Sequence, residues 1–155
     1  MAIKAMVNNK TREQIRELLR EVTREKGAFY LAMLAQSSPD LPDRWNFVVS
    51  APWIDSTGSR SAVAYLSTKL KKHLDKNALS ALDRISAIQS SDPIVTRILH
   101  FLGLSVSLQE GDFPIRNWIV GDWSIPEGYI FVADLDSDAH VRFTRSAREV
   151  QKSAR

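Results

Sequence analysis

The order of apolar segments along this chain predicts an α+β fold, in which a mixed, largely antiparallel sheet carries helices on at least one face. Three observations support this prediction. An amphipathic helix comes first, two apolar runs of strand length follow it, and the last third holds several short strand-like runs between turn residues. Because 155 residues is the usual size of one domain, we expect a single domain over residues 1–155.

The amino-acid composition restricts the class of protein further. The chain has no cysteine, which excludes disulfide frameworks, thiolate metal sites and cysteine nucleophiles. No segment approaches the roughly 18 apolar residues of a membrane span, and the N-terminus lacks the apolar core of a signal peptide, so we expect a cytoplasmic protein with no membrane partner. The net charge of +3 is spread along the chain, so we do not expect nucleic acid as a partner.

The first element is an amphipathic helix predicted over residues 12–26. Thr11, with Gln14 three residues later, has the pattern of a helix cap, and Gly27 marks the end. Charged residues cover the opposite face, which is typical of a face turned to solvent. The apolar positions that define the core-facing side are Ile15, Leu18, Leu19 and Val22.

Two apolar runs at residues 28–35 and 45–53 predict adjacent antiparallel strands joined by a loop too long for a tight hairpin. Both runs are apolar on both faces, so we expect them in the middle of the sheet, covered by helices. A loop at residues 55–59 then leads into a second amphipathic helix, whose apolar positions extend from Ala62 to Leu74.

The remaining elements are shorter. We expect a helical turn near 78–82, a strand at 85–89, and a helix over 93–102 that Asp92 caps. Strand-like runs occupy 105–109, 115–123, 128–135 and 140–144, which predicts a meander or a pair of hairpins. The tail at 146–155 is polar and basic and is predicted to form at most a short, frayed helix.

The first candidate site is the small polar loop that precedes the second helix. It combines backbone and hydroxyl donors, a glycine and an arginine at a helix start, which suits a small anionic ligand such as a phosphate. The loop lacks the spacing of a phosphate-binding signature, and the alternative is an ordinary helix-capping loop. The candidate ligand-binding residues are Trp53, Asp55, Ser56, Thr57, Ser59 and Arg60.

The second candidate site is an alternating acidic run made of Asp134, Asp136, Asp138 and His140. On an extended chain these side chains would share one face, close enough to bind a hard divalent cation. The run departs from a calcium-binding loop, because Arg145 stands where a bidentate glutamate would be needed. The alternative is a hairpin turn in which the aspartates bond to their own backbone.

The four tryptophans are the third feature of interest. Aromatic side chains beside polar loops can stack on ligands, but they more often fill the edge of a core. If they surround the 55–60 loop, the anion-binding hypothesis gains support, whereas dispersal through the core weakens it. They are Trp45, Trp53, Trp118 and Trp123.

No catalytic signature is present, so the sequence leaves enzymatic activity and any cofactor open. We expect a non-enzymatic ligand-binding or protein-interaction module that forms a homo-oligomer or binds an unidentified protein. One alternative is a small phosphate- or nucleotide-binding enzyme that uses the 55–60 loop. The other is a divalent-metal-binding protein that uses the 134–140 run.

Overall fold

One five-stranded sheet organises the part of the chain that the structure, a computed structural model, describes, namely residues 7–38 and 40–134. A 3₁₀ turn lies at Leu108–Glu110. The helices and strands, in chain order, are α1 (Asn9–Lys26), β1 (Leu31–Ser38), β2 (Leu41–Ser50), α2 (Pro52–Thr57), α3 (Ser59–His73), α4 (Lys76–Ala81), β3 (Leu82–Ala87), α5 (Pro93–Leu102), β4 (Phe113–Val120) and β5 (Trp123–Ala133).

The strand order is β3-β2-β1-β5-β4. The pairs β1–β2, β1–β5 and β4–β5 are antiparallel, and β2–β3 is parallel. The predicted α+β fold with a mixed, largely antiparallel sheet is therefore confirmed. Sequence patterning did not reveal that β2 and β3 are parallel. They are parallel because the helices between them carry the chain back to the end of the sheet at which β2 begins.

Helices cover both faces of the sheet, which explains why β1 and β2 are apolar on both sides. Along β1, Ala32 and Leu34 belong to the core cluster that includes α1 and α3, whereas Leu31, Met33 and Ala35 belong to the cluster that includes α5. All five side chains are fully buried. The expected central position of the first two strands is confirmed.

The loop predicted between the first two strands is much shorter than expected. β1 continues to Ser38 and β2 begins at Leu41, and pairing persists to the partners Ser38 and Leu41. The side-chain amide of Gln36 donates to the carbonyl of Pro42 at 2.9 Å. The prediction of a long loop was wrong because the first residues of β2 are exposed and lie beyond the core. Polar side chains can occupy such strand positions while they stay in contact with water.

The first helix begins earlier than its apolar pattern indicated. Its cap is Asn8, whose side-chain oxygen accepts a hydrogen bond from the N–H of Thr11 at 2.9 Å. Thr11 is itself buried in the helix, so the predicted cap at Thr11 was wrong. At α5 the prediction is confirmed, since the Asp92 carboxylate accepts from the N–H of Ile94 at 3.0 Å.

The last third of the chain contains fewer strands than expected within the described residues. β4 and β5 pair as an antiparallel hairpin, but its turn lies at Gly121 and Asp122, inside the run predicted as one strand at 115–123. The run at 105–109 is not a strand, because only Val106 pairs with Ala133 and the chain then enters a 3₁₀ turn. The strand predicted at 140–144 and the tail at 146–155 lie outside the described residues. Within the described part, no helix is long and apolar enough to cross a membrane.

A network of ion pairs joins α1 to α3. Glu21 accepts hydrogen bonds from the ammonium groups of Lys69 at 3.0 Å and Lys72 at 2.7 Å, and its carboxylate lies 2.9 Å from Nε2 of His73. The hydrogen bonds from Lys72, His73 and Lys69, in that order of importance, hold the pKa of Glu21 far below its usual value. The folded state therefore favours ionised Glu21 more strongly than the unfolded state does.

Because the pKa of Glu21 is depressed on folding, its contribution to stability is present above the unfolded pKa, near 4.5, and is lost as pH falls below it. We expect the melting temperature of the native chain to decline more steeply below that pH than that of Glu21→Gln. The measurement is the melting temperature as a function of pH. Glu17→Gln, an exposed change on the same helix, is the control, and parallel acid limbs for Glu21→Gln and the native chain would contradict the prediction.

Candidate functional site

An apolar pocket of about 390 Å³ lies on the α1 face of the sheet, at the end where β5 finishes. Its apolar lining is Ala28, Phe29, Val106, Leu108, Val132 and Ala133, and its polar lining is Thr23, Ser105, Ser107, Gln109, Glu110 and Asp134. Small-molecule sites in proteins are concave, mostly apolar and furnished with a few polar groups, and their volumes start at about 300 Å³. The pocket meets this description.

The outer wall of the apolar pocket is the segment from 105 to 112. Its backbone is mostly irregular, so contacts with other elements are needed to hold it in place. Val106 exchanges two backbone hydrogen bonds with Ala133, both of 2.9 Å. At the other end of the segment, the Asp112 carboxylate accepts from Nε of Arg12 at 2.8 Å and from the guanidinium of Arg16 at 3.4 Å. The wall is thus fixed both to β5 and to α1, so the pocket is preformed.

The inner wall is set by Phe29, which is 3% exposed. The ring of Trp53 packs in T-shaped contacts against the rings of Phe29, with centroids 6.1 Å apart, and Tyr65, with centroids 5.6 Å apart. Trp53 therefore lies in the core behind the apolar pocket. The sequence predicted that Trp53 lies beside the polar loop, because only its position along the chain was known.

A second concave region lies where β2 and β3 end. The two strands are parallel, but the chain leaves β2 toward α3 on one face and leaves β3 toward α5 on the other. In open α/β sheets, such a switch point opens a crevice at the carboxyl ends of the strands, where ligands commonly bind. Here the crevice has a volume of about 500 Å³. It is lined by Ser59 from the start of α3 and by residues from the end of β3 to the start of α5, among them Gln89, Ser91 and Asp92.

The predicted loop at 55–59 is largely helical. Residues Pro52–Thr57 form α2, and only Gly58, with a φ of 88°, separates α2 from α3. A side chain is unfavourable at that φ, which explains the glycine at this position. The hydroxyl of Ser56 donates to the carbonyl of Pro52 at 3.3 Å and that of Thr57 to the carbonyl of Trp53 at 2.8 Å.

The other three candidate anion-binding residues divide into two groups. The carboxylate of Asp55 accepts from the backbone N–H of Ser90 at 2.8 Å and from its hydroxyl at 2.6 Å, so Asp55 joins the connection after β2 to the connection after β3. Ser59 lines the switch-point crevice, and the next residue, Arg60, is exposed. The structure thus brings together Ser59 and the α5 start, and it gives Asp55, Ser56 and Thr57 structural hydrogen bonds.

The tryptophans are dispersed. Trp45 and Trp53 are buried in the cluster around α1 and α3, while Trp118 and Trp123 pack against the cluster around α5 on the opposite face. They do not converge on the 55–60 segment, which weakens the anion-binding hypothesis on the criterion stated above.

The acidic run is described only at its first residue. Asp134 lines the apolar pocket, and its N–H donates to the carbonyl of Tyr30 at 3.0 Å. Asp136, Asp138 and His140 lie outside the described residues, so the metal site remains a prediction. Within residues 7–38 and 40–134, no group of three acidic, histidine or cysteine side chains is placed to bind a metal ion.

Sequence reasoning did not identify the apolar pocket. Phe29 and Val132 belong to runs predicted as ordinary core strands, and Val106 and Leu108 belong to a run predicted as a strand. The available signal was the alternation of serine with Val106 and Leu108, which indicates one apolar side and one polar side but not what the apolar side faces. The chain matches no protein-family model, no curated protein and no solved structure at a significant level.

Proposed function

We propose that this protein is a non-enzymatic ligand-binding module whose ligand is a small, largely apolar molecule held in the pocket between α1, β5 and the 105–110 segment. The observation that carries the proposal is the preformed apolar pocket itself. Burial of a ligand against Phe29, Val106 and Leu108 would contribute roughly 25 cal/mol for each Å² of apolar surface removed from water. The surrounding hydroxyl, amide and carboxylate groups would orient the ligand.

Binding without chemistry is favoured by the kinds of side chain in the pocket. A nucleophile becomes reactive when a base such as histidine or lysine lies beside it. The lining residues that the structure describes include neither histidine nor lysine. The polar groups at the mouth, such as Gln109 and Glu110, are suited to hydrogen bonding with one polar end of a ligand.

The test is a thermal-shift screen of uncharged aromatic and aliphatic compounds, followed by calorimetric titration of each compound that raises the melting temperature. A compound at 100 times its dissociation constant should add about 2.7 kcal/mol to the free energy of unfolding. For a chain of this length that corresponds to a rise of about 5–10 °C. Ala28→Trp, which places a large ring on the exposed side of the pocket, should weaken binding at least tenfold.

The matched control is Ala64→Trp, the same change at an exposed position of α3 outside the pocket lining. It should leave the affinity within twofold of the native value. Two results would contradict the proposal: a flat screen, or a compound whose affinity is equal in Ala28→Trp and Ala64→Trp.

A second candidate function is the binding of a phosphate-bearing ligand in the switch-point crevice. The specific observation in its favour is the opposite departure of the chain from the parallel strands β2 and β3. Gly58 supplies no side-chain cap to α3, so the first N–H groups of that helix are available beside Ser59 and Arg60. Nucleotides and sugar phosphates in the same screen test it, since Arg60→Ala should abolish any shift they cause.

A further inference from the structure

The outer edge of β3 has no strand partner among the residues that the structure describes. Within residues 7–38 and 40–134, β3 is the last strand on its side of the sheet and its one strand partner is β2. The N–H of Ile88 donates to the carbonyl of Val49, so this residue directs its backbone toward β2. Because the direction alternates along a strand, Ile85 and Ala87 direct their N–H and C=O groups to the open side.

A pocket of about 240 Å³ lies directly beside this edge, between α3, α4 and β3. Four of its apolar side chains, Val63, Leu79, Leu82 and Ile85, are only partly buried although they pack against the core. An apolar side chain placed in the pocket would complete their burial. An open strand edge beside an apolar pocket is the combination that strand-addition sites use, since backbone bonds give affinity and the pocket gives specificity.

The opposite edge of the sheet lacks this combination. β4 carries Pro114, which has no N–H to donate, and Asn117, whose φ of 54° interrupts the extended backbone. Both features are devices by which edge strands resist pairing with another chain. β3 contains no proline, and its one irregularity, the unpaired residue Asp83, lies near its start, leaving the regular segment from Arg84 to Ala87.

The charge around the β3 pocket selects among possible occupants. Lys71 and Arg84 are exposed lining residues, and Asp83 is the one carboxylate among the described lining residues. Pairing of two β3 edges about a two-fold axis would bring Lys71, Arg84 and Asp83 of both copies to the same interface, and their net positive charge there opposes association. An acidic partner is the complement of this surface, whereas a second copy is not.

We propose that the β3 edge binds an extended segment of a partner protein, which adds a sixth strand to the sheet. One apolar side chain of that segment enters the pocket beside Leu79, Leu82 and Ile85, and a flanking acidic side chain pairs with Lys71 or Arg84. The site is separate from the ligand pocket on the far side of β1, so the two proposals stand or fall independently.

The experiment uses a library of random short peptides displayed on phage and selected on the full chain. The most enriched peptide, synthesised with a fluorescein label, is the probe for anisotropy titrations. We expect enriched sequences that alternate apolar and acidic residues, and an affinity that falls at least fivefold in Lys71→Glu. Arg97→Glu, a charge reversal at an exposed position of α5 outside the pocket lining, should leave the affinity within twofold of the native value.

Amide hydrogen exchange locates the bound peptide. The N–H groups of Ile85 and Ala87 should exchange rapidly in the free protein and at least tenfold more slowly with saturating peptide. Ala87→Pro should weaken binding, because it removes one outward N–H at an edge that tolerates proline. The melting temperature of each variant shows that it is folded.

Four results would overturn the proposal. They are a selection without enrichment, a bound peptide that protects β4 instead of β3, equal binding by Lys71→Glu and Arg97→Glu, and protection of Ile85 and Ala87 in the peptide-free protein. In the last case, protection that rises with protein concentration identifies a second copy as the occupant of the edge.

Discussion

Replacing Gly128 by alanine should lower the free energy of unfolding by about 2 kcal/mol, because no space exists for a methyl group at this position. Gly128 lies inside β5, opposite Ala35 of β1 and Ile115 of β4. An added Cβ would lie 2.8 Å from the backbone oxygen of Leu34 and 3.0 Å from both Cγ1 and Cδ1 of Ile115. The oxygen belongs to the central strand, so relief requires β1 and β5 to move apart.

The melting temperature of Gly128→Ala is expected to fall by about 5 °C, measured by calorimetry or circular dichroism. Ser124→Ala, at an exposed position of the same strand, should change stability by less than about 0.5 kcal/mol. Combining Gly128→Ala with Ile115→Ala should cost less than the sum of the two single changes, since the second removes two of the three clashing atoms. Native stability in Gly128→Ala would contradict the close approach of the strands.

Asp55→Ala is expected to cost about 3 kcal/mol, because it removes two hydrogen bonds to a carboxylate at once. The N–H of Ser90, a residue only 7% exposed, loses its Asp55 acceptor, and its hydroxyl loses the same partner. These two bonds connect the segment after β2 with the segment after β3. The loss should therefore appear both as a lower melting temperature and as faster amide exchange around Ser90.

Asp55→Asn separates charge from shape at the same position. The amide keeps one oxygen acceptor but loses the ionised group, so its effect should be about half that of Asp55→Ala. Ser90→Ala removes the hydroxyl bond alone and should also cost less than Asp55→Ala. If Asp55→Ala left the melting temperature unchanged, the hydrogen bonds to Ser90 would contribute nothing to the fold, and the switch-point crevice would lack a fixed shape.

Periodicity sufficed to predict the elements in which the apolar and polar residues follow the environment of each face. The first helix, the two central strands and the cap at Asp92 follow from local spacing and local hydrogen bonds. These features depend on residues that are close along the chain. The apolar pattern of 28–35 even indicated that helices cover both sides of the sheet, since a strand without a polar face has no side left for water.

The sequence by itself determined the α+β class and the central position of β1, and only the tertiary structure decided where side chains meet. Asp55 and Ser90 lie 35 positions apart, and Phe29 and Val106 form one pocket from distant parts of the chain. The polar residues of the 55–60 segment have the composition of an anion site, yet three of them satisfy nearby backbone and side-chain groups. Composition specifies which groups are available, whereas packing over long chain separations specifies their partners and the pockets between them.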